Sequence, residues 1–171
     1  MVTRLCGFRQ RTRPRGGDAT GPNPTDRGKK GSKHHIIVDR QGIPLAATVT
    51  AANVHDSKEF EHVLDAIQPI KQPRRGRPRK RPAKVHADKG YDYPRCRKAL
   101  KRRLIADRIA RRGVDASDGF GKHRWVVERT LSWLHRFRRL RILYERRSEL
   151  HQAFLDLACA LICWQQLQRL C

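Results

Sequence analysis

The chain has 171 residues, enough for one domain with a modest core and hardly for two. Its 39 Lys and Arg outnumber 16 Asp and Glu, a formal charge of +23, and a polyanionic partner, nucleic acid first among them, relieves the self-repulsion of folding such a chain. Apolar residues at 38% exclude a wholly disordered basic tail.

Residues 1–33 read as irregular and basic, with Gly-Gly at 16–17 and Gly-Pro-Asn-Pro at 21–24 as turn signals. Residues 34–40 (HHIIVDR) and 44–50 (PLAATVT) are strand-like, and the Arg40-Gln41-Gly42 turn between them predicts a β-hairpin. A helix is predicted from Asp56 to about Ile67, with Asp56 as N-cap and Glu59 reaching back as in a capping box. Residues 69–82, PIKQPRRGRPRKRP, are too proline-dense for helix or strand and read as a basic linker. Residues 83–88 (AKVHAD) predict a short buried strand ending in an aspartate. A basic helix follows from about Pro94 to Arg103, then a short strand from Ile105 to Ile109. From Lys122 to about Arg147 the positions Val126, Val127, Thr130, Leu131, Trp133, Leu134 and Phe137 recur at helical spacing. A last helix, Glu149 to Leu170, is apolar on most of its surface and is expected to be the core helix. The order is that of a mixed α/β fold without internal repeats.

Five cysteines (Cys6, Cys96, Cys159, Cys163 and Cys171) are odd in number and lack a CxxC pair. They argue for a reducing compartment and against a disulfide scaffold or zinc ribbon. Cys159 and Cys163 lie one helical turn apart and read as core thiols, the other reading being half of a metal site. The basic N-terminus is followed by no apolar h-region, so no secretory signal is expected. The apolar run from Ala153 to Leu161 and on to Trp164 is broken by Asp156 and too short to span a bilayer. The expected location is therefore the cytoplasm, with the nucleoid, and no membrane partner is expected.

The linker holds Arg75-Gly76-Arg77-Pro78, continued by Arg79, Lys80 and Arg81. An extended Arg-Gly-Arg-Pro resembles an AT-hook: glycine admits the backbone to a narrow minor groove and the arginines follow its negative potential. Generic phosphate contact and a solvated linker are the other readings. Further basic clusters span Arg97 to Arg103, Arg108 to Arg112 and Arg136 to Arg147. On one long helix Arg136, Arg139 and Arg147 would fall on the side away from Val127, Leu131 and Leu134. With too few acids to balance them, they are expected to face DNA rather than to form a merely solvated face. Asp88 closes a short apolar strand ahead of Lys89-Gly90-Tyr91-Asp92; it is either a turn residue or a metal ligand at the sheet edge. Glu128 lies beside the apolar stripe and is either an ordinary surface glutamate paired with Arg124 or a ligand.

From Gly16-Gly17 to the end, several blocks in order carry a resemblance: TGPNPTDRGKKGSKHHIIVD, GIPLAATVTAANVHDS, GRPRKRP, HADKGYD, RWVVERTLSWLHRFRRLRILYERR and HQAFLDLACALIC. Together they resemble the DDE transposases of bacterial insertion sequences, in the IS-five-like group. The resemblance implies an α/β, ribonuclease-H-like fold, a mixed sheet with flanking helices. It also implies DNA transposition, by metal-dependent strand cleavage and transfer at element ends and target. Three carboxylates would hold two Mg²⁺ (or Mn²⁺), with Asp88 the second aspartate and Glu128 the glutamate. Of the Tyr, Arg, Glu, Lys signature around that glutamate, Arg124 keeps the arginine; Gly121 and His135 stand where tyrosine and lysine are expected.

The first aspartate is expected near Gly7, within LCGFRQRTRPR, yet no carboxylate precedes Asp18. Asp18, Asp26, Asp39 and Asp56 are the remaining positions that could replace it. The organisation expected is residues 1–15 as an irregular segment out of register with the family, and 16–171 as the transposase domain with the linker at 69–82. The first strand is then truncated or replaced. On this reading the chain is the C-terminal part of an insertion-sequence transposase, inactive alone, that forms a homo-oligomer or joins an upstream reading-frame product. The rival is a non-catalytic basic DNA-binding protein using the AT-hook-like linker. An RNA-binding protein is disfavoured because the few aromatics form no stacking platform.

Overall fold

The computed structural model describes residues 2–12, 17–24, 27–71, 75–113 and 121–169, with backbone only for 2–12 and 121–124. At its centre is a seven-stranded mixed sheet. Its middle strand is β1 (Val2–Thr12), and its antiparallel side is β2 (Gly21–Pro22), β3 (Lys30–Val38) and β4 (Pro44–Ala51). After helix α1 (Asp56–Asp65), strands β5 (Lys84–Ala87) and β6 (Ala106–Ile109) extend the other side in parallel, with α2 (Pro94–Arg102) crossing between them. Helices α3 (Gly121–Leu134) and α4 (Arg138–Arg141) lead to β7 (Ile142–Leu143), which pairs with the end of β1, and α5 (Ser148–Gln168) closes the chain.

Two-residue alternation divides the core between the faces of the sheet. Ile37 of β3 with Val85 and Ala87 of β5 packs under α1 and α2, joined by Phe60, Tyr91 and Leu100. Ile36 and Val38 face the other way, against Val126, Leu131 and Leu134 of α3 and Leu155 and Ile162 of α5. The β-hairpin at 34–50 is as the alternation predicts, though β3 begins earlier, at Lys30.

Four expectations change. Residues 2–12 are not irregular. They form β1, bonded to β3 from Arg4↔Val38 to Arg11↔Gly31 and to β5 from Val2↔Lys84 to Leu5↔Ala87. The slot of the first strand is thus filled, by a segment whose strand state comes from ladders on both sides rather than from its own pattern. Second, Asp56 does not cap α1. His55 does, its Nδ1 accepting from the Ser57 amide at 3.2 Å, because Asp56 is taken by Lys33. That lysine is buried on β3 and donates from Nζ to Asp56 Oδ1 at 2.6 Å and to the Val54 carbonyl at 2.9 Å. A buried ammonium without such partners is costly, so the pair outcompetes a cap.

Third, the helix expected from Lys122 to Arg147 stops at Leu134. Tight i→i+3 bonds from Arg136 and Phe137 to the Trp133 and Leu134 carbonyls end it. Turning there buries both Leu134 and Leu140 and delivers β7 to the sheet. Arg136, Arg139 and Arg147 consequently do not share one helix face. Fourth, α5 is a core helix on one face only: His151, Leu155, Ala158 and Ile162 are buried, and several large apolar residues face outward. Within the basic segment, Ile70 and Arg79 exchange both backbone bonds at 2.8 Å. Among the described residues no helix is long and apolar enough to cross a membrane.

Candidate active site and nucleic-acid interface

Where β5 ends, Asp88 keeps an extended backbone and caps a single 3₁₀ turn, Lys89–Tyr91, its Oδ1 accepting from the Gly90 amide at 2.8 Å. Tyr91 anchors that turn, buried against Phe60 with ring centroids 5.6 Å apart. The turn therefore holds Asp88 exposed at the carboxyl end of a central strand, where ligands of open α/β sheets gather. A Cβ at Gly90 would lie 2.9 Å from Asp88 Oδ1, so that carboxylate would have to shift, and 3.6 Å from Asp56 Oδ2. Asp88 and the Lys33-bound Asp56 thus flank one spot.

The strand register shows what stands where the sequence led us to expect a first aspartate. Leu5 pairs with Ala87, so the next step along β1 sets Cys6 level with Asp88, and Gly7 lies opposite His35 of β3. The segment VTRLCGFRQRT carries no carboxylate. Of the other aspartates considered, Asp39 accepts from the Gln41 and Ile43 amides, each at 2.8 Å, and so shapes the hairpin turn. Asp18 is exposed in a turn that bonds to the Arg146 carbonyl; Asp26 lies outside the described residues.

Glu128 is exposed on α3. That helix is docked on the β3–β4 turn: buried Thr130 donates from Oγ1 to the Gly42 carbonyl at 2.6 Å, and Arg129 donates to the Gln41 carbonyl. Arg129 is sandwiched between Trp125 at 4.5 Å and Trp133 at 4.9 Å. Gly42 needs to be glycine twice over, with φ of +85° and the Thr130 hydroxyl 2.9 Å from where a Cβ would sit. Asp88 is thus held by Gly90, and the residues that follow Glu128 on α3, Arg129 and Thr130, are held by Gln41 and Gly42.

The cations divide sharply. Arg75, Arg77, Arg79, Lys80 and Arg81 are all exposed, with Arg81 donating to the Arg103 carbonyl at 3.3 Å. Arg136 is exposed in the turn after α3, whereas Arg139 is bonded to Glu145 and stacked on Phe154 at 5.1 Å; the Arg124 side chain lies outside the described residues. In α2 the basic cluster is largely consumed. Arg97 bonds Asp92 at 2.7 Å and Asp107 at 3.0 Å, and Arg103 bonds Asp65 at 2.8 Å and shares Glu61 with Arg102. The Arg112 amide and the Arg97 guanidinium on Asp92 hold its carboxyl below the ordinary range.

Sequence reasoning missed a buried histidine pair. His34 of β3 and His151 of α5 meet Nε2 to Nε2 at 2.8 Å, and burial holds both below the ordinary pKa. One ring nitrogen must donate and the other accept, so the accepting ring is neutral, and burial disfavours a charge on its partner. Nothing in either local segment signals a pairing 117 positions apart in the chain. Burial also pushes the Cys96 thiol to about 11 and Cys159 to about 12, as expected of core thiols rather than metal ligands.

Residues 4–163 match the family model of the transposase DDE domain. The chain belongs to the DDE transposases. It is 56% identical over 150 residues to the protein named as transposase of insertion sequence element IS402 from Burkholderia cepacia, which covers 88% of this chain and 71% of that one. It is 29% identical over 127 residues to the transposase of IS1106 from Neisseria meningitidis serogroup B, of whose length it spans 40%. In fold it resembles the catalytic core domain of BIV integrase, with a TM-score of 0.53 over 92% of this chain and 80% of that one at 16% identity. The ribonuclease-H-like architecture read from the sequence is thereby borne out.

DDE transposases act on DNA and use divalent metal ions. The residues present do not complete such a metal site: among the described residues no three His, Cys, Asp or Glu are grouped to hold an ion, and β1 brings no carboxylate beside Asp88. The chain thus has the family's fold, and the strand beside Asp88 carries no acid.

Proposed function

We propose that this chain serves DNA transposition as the DNA-holding body of an insertion-sequence transposase, and that alone it cleaves poorly or not at all. The observation that carries this reading is β1: the strand lies beside Asp88, and neither Cys6 nor Gly7 supplies the acid that the position calls for. Asp88 and Glu128 are then the second aspartate and the glutamate of the set. They suit a hard divalent cation such as Mg²⁺ or Mn²⁺, which carboxylate oxygens and water bind. With one acid absent, bridging of two ions is lost, and loss of one member of a catalytic set removes most activity. An upstream reading-frame product that brought the acid would have to take the place of β1 between β3 and β5.

DNA is held in this proposal by the 75–81 loop, by Arg136 and by Arg124, with Arg139 oriented by Glu145 at the border. The organisation we assign is one domain of the family, matched over residues 4–163, in which 2–12 fill the place of the first strand. A chain of this charge acting on DNA would lie with the nucleoid.

Two measurements test the proposal. Fluorescence anisotropy with duplex DNA between low and physiological salt should give a log–log slope steeper than about −5, as six or more phosphate contacts require at about −0.9 each. A flat response overturns the DNA-holding role. Incubation of the same duplex with Mg²⁺ or Mn²⁺ should yield little or no nicking. Robust cleavage abolished by Asp88→Ala would show that the third ligand comes from elsewhere, with Asp56 the first position to test.

A further inference from the structure

Helix α5 turns His151, Leu155, Ala158 and Ile162 into the core and leaves Leu150, Leu157, Leu161, Trp164 and Leu167 between 39% and 59% exposed. Ala153 and Ala160 are exposed on the same outward side. In order, Leu150, Ala153, Leu157, Ala160, Trp164 and Leu167 follow at alternating steps of three and four, the spacing of a helix–helix seam. Five half-exposed side chains of this size leave on the order of 100 Å² each, about 500 Å² in all, at the upper end of what a monomer keeps open. With the flanking Glu149, Gln165 and Gln168 the face approaches the ~800 Å² per partner of a stable interface.

Two features say what covers it. The first is charge: α5 carries Glu149 and Asp156 and no Lys or Arg, whereas α2, α3 and α4 each carry several. On a chain of net charge +23, this is a face at which a second copy can approach without meeting a row of its own cations. The second is self-complementarity. Set antiparallel about a point between Ala158 and Cys159, the seam puts Leu157 against Ala160 of the second copy, Ala153 against Trp164, and Leu150 against Leu167. In the two inner layers each large side chain meets a small one, the arrangement that close packing demands. A parallel pair would instead stack Trp164 on Trp164 and leave Ala153 opposite Ala153, alternately crowded and empty.

We propose that the outward face of α5 is an interface between two copies of this chain, packed antiparallel about a two-fold axis near Ala158 and Cys159. Sedimentation equilibrium of the whole chain in about 0.5 M NaCl, which screens the net charge, should give a mass near twice 19.9 kDa. Leu157→Glu should weaken association at least a hundredfold while leaving the circular dichroism spectrum unchanged, because that side chain is outside the core. Ala160→Leu should weaken it tenfold or more. Adding Leu157→Ala to Ala160→Leu should return it to within about threefold of the original, since the layer is then refilled with its sizes exchanged. A chain still monomeric at about 100 µM overturns the proposal and leaves the face to a segment of a longer transposase chain. Association indifferent to Leu157→Glu, or a double variant no tighter than Ala160→Leu, overturns it as well.

Discussion

The arginines of α2 and its C-cap and those of the 75–81 loop carry the same charge in opposite situations. Arg97, Arg102 and Arg103 end on Asp92, Asp107, Glu61 and Asp65, so their field is cancelled within a few ångströms. Arg75, Arg77, Arg79 and Lys80 stand on an exposed loop, and no described ion pair reaches them. The difference teaches that a basic run is not by itself a DNA surface. An ion pair with half-buried Arg97 orders the α2–β6 corner, whereas cations left unbalanced keep the potential that draws a phosphate backbone.

The largest effect sharpens that comparison by giving loop-bound DNA a complete set of acids to react at. Cys6→Asp and Gly7→Asp, made separately, should between them restore metal-dependent cleavage by about a thousandfold or more in one of the two. Asp88→Ala or Glu128→Ala should then abolish it with DNA affinity kept. If neither carboxylate restores nicking, the register argument for β1 is wrong.

Acid limits the range over which the comparison holds. His35 is buried, bonds Thr50 Oγ1 at 2.8 Å, and is lowered to about 4 chiefly by burial. A histidine held neutral in the fold takes up its proton on unfolding, so stability is full above the ordinary pKa near 6.5 and declines as pH falls from there towards 4. His35 alone accounts for about 3 kcal/mol of that loss, and the buried His34–His151 pair adds to it in the same direction. Urea unfolding at several pH values should show the decline, and His35→Gln should flatten it. Stability constant between pH 7 and 4.5 would rule out neutral buried histidines.

The remaining pair of effects is smaller and separates the two basic regions directly. Arg97→Ala should lower stability, since it leaves Asp92 with the Arg112 amide alone and the Ile109 carbonyl without that donor, yet change DNA affinity less than twofold. Arg75→Ala with Arg77→Ala should do the reverse: stability unchanged, affinity down about tenfold, and the salt slope shallower by about two phosphates. If the loop reads a narrow groove, the loss is greater on A·T-rich than on G·C-rich duplex. Equal losses on both would leave phosphate contact as its whole role, and losses equal to those from Arg97→Ala would erase the comparison.

Much of the scaffold was legible locally. The 34–50 hairpin, the strand running into Asp88 and the helix from Pro94 depend on two- and 3.6-residue periodicities that neighbouring residues set by themselves. The family blocks single out Asp88 and Glu128 as the proposed acids, and the segment around Gly7 carries no carboxylate. Other features rest on contacts that no window of sequence contains. Asp56 has the chemistry of a cap, and only the fold shows Lys33 claiming it from 23 positions away. Arg139 looks like a DNA-facing cation until Glu145 and Phe154 are placed around it.

By itself, then, the amino-acid sequence determined the charge, the main strands and helices, the order of the motifs and the absence of an acid before Asp18, because composition and short-range periodicity are properties of the chain alone. The tertiary structure alone decided that 2–12 is the central strand, that the helix after Gly121 breaks at Leu134, which arginines are neutralised, and that α5 shows an apolar seam to the outside. Each of these depends on a hydrogen-bond ladder, an ion pair or a buried face whose second half comes from a distant part of the chain, and the balance among such partners is struck only when all of them are in place.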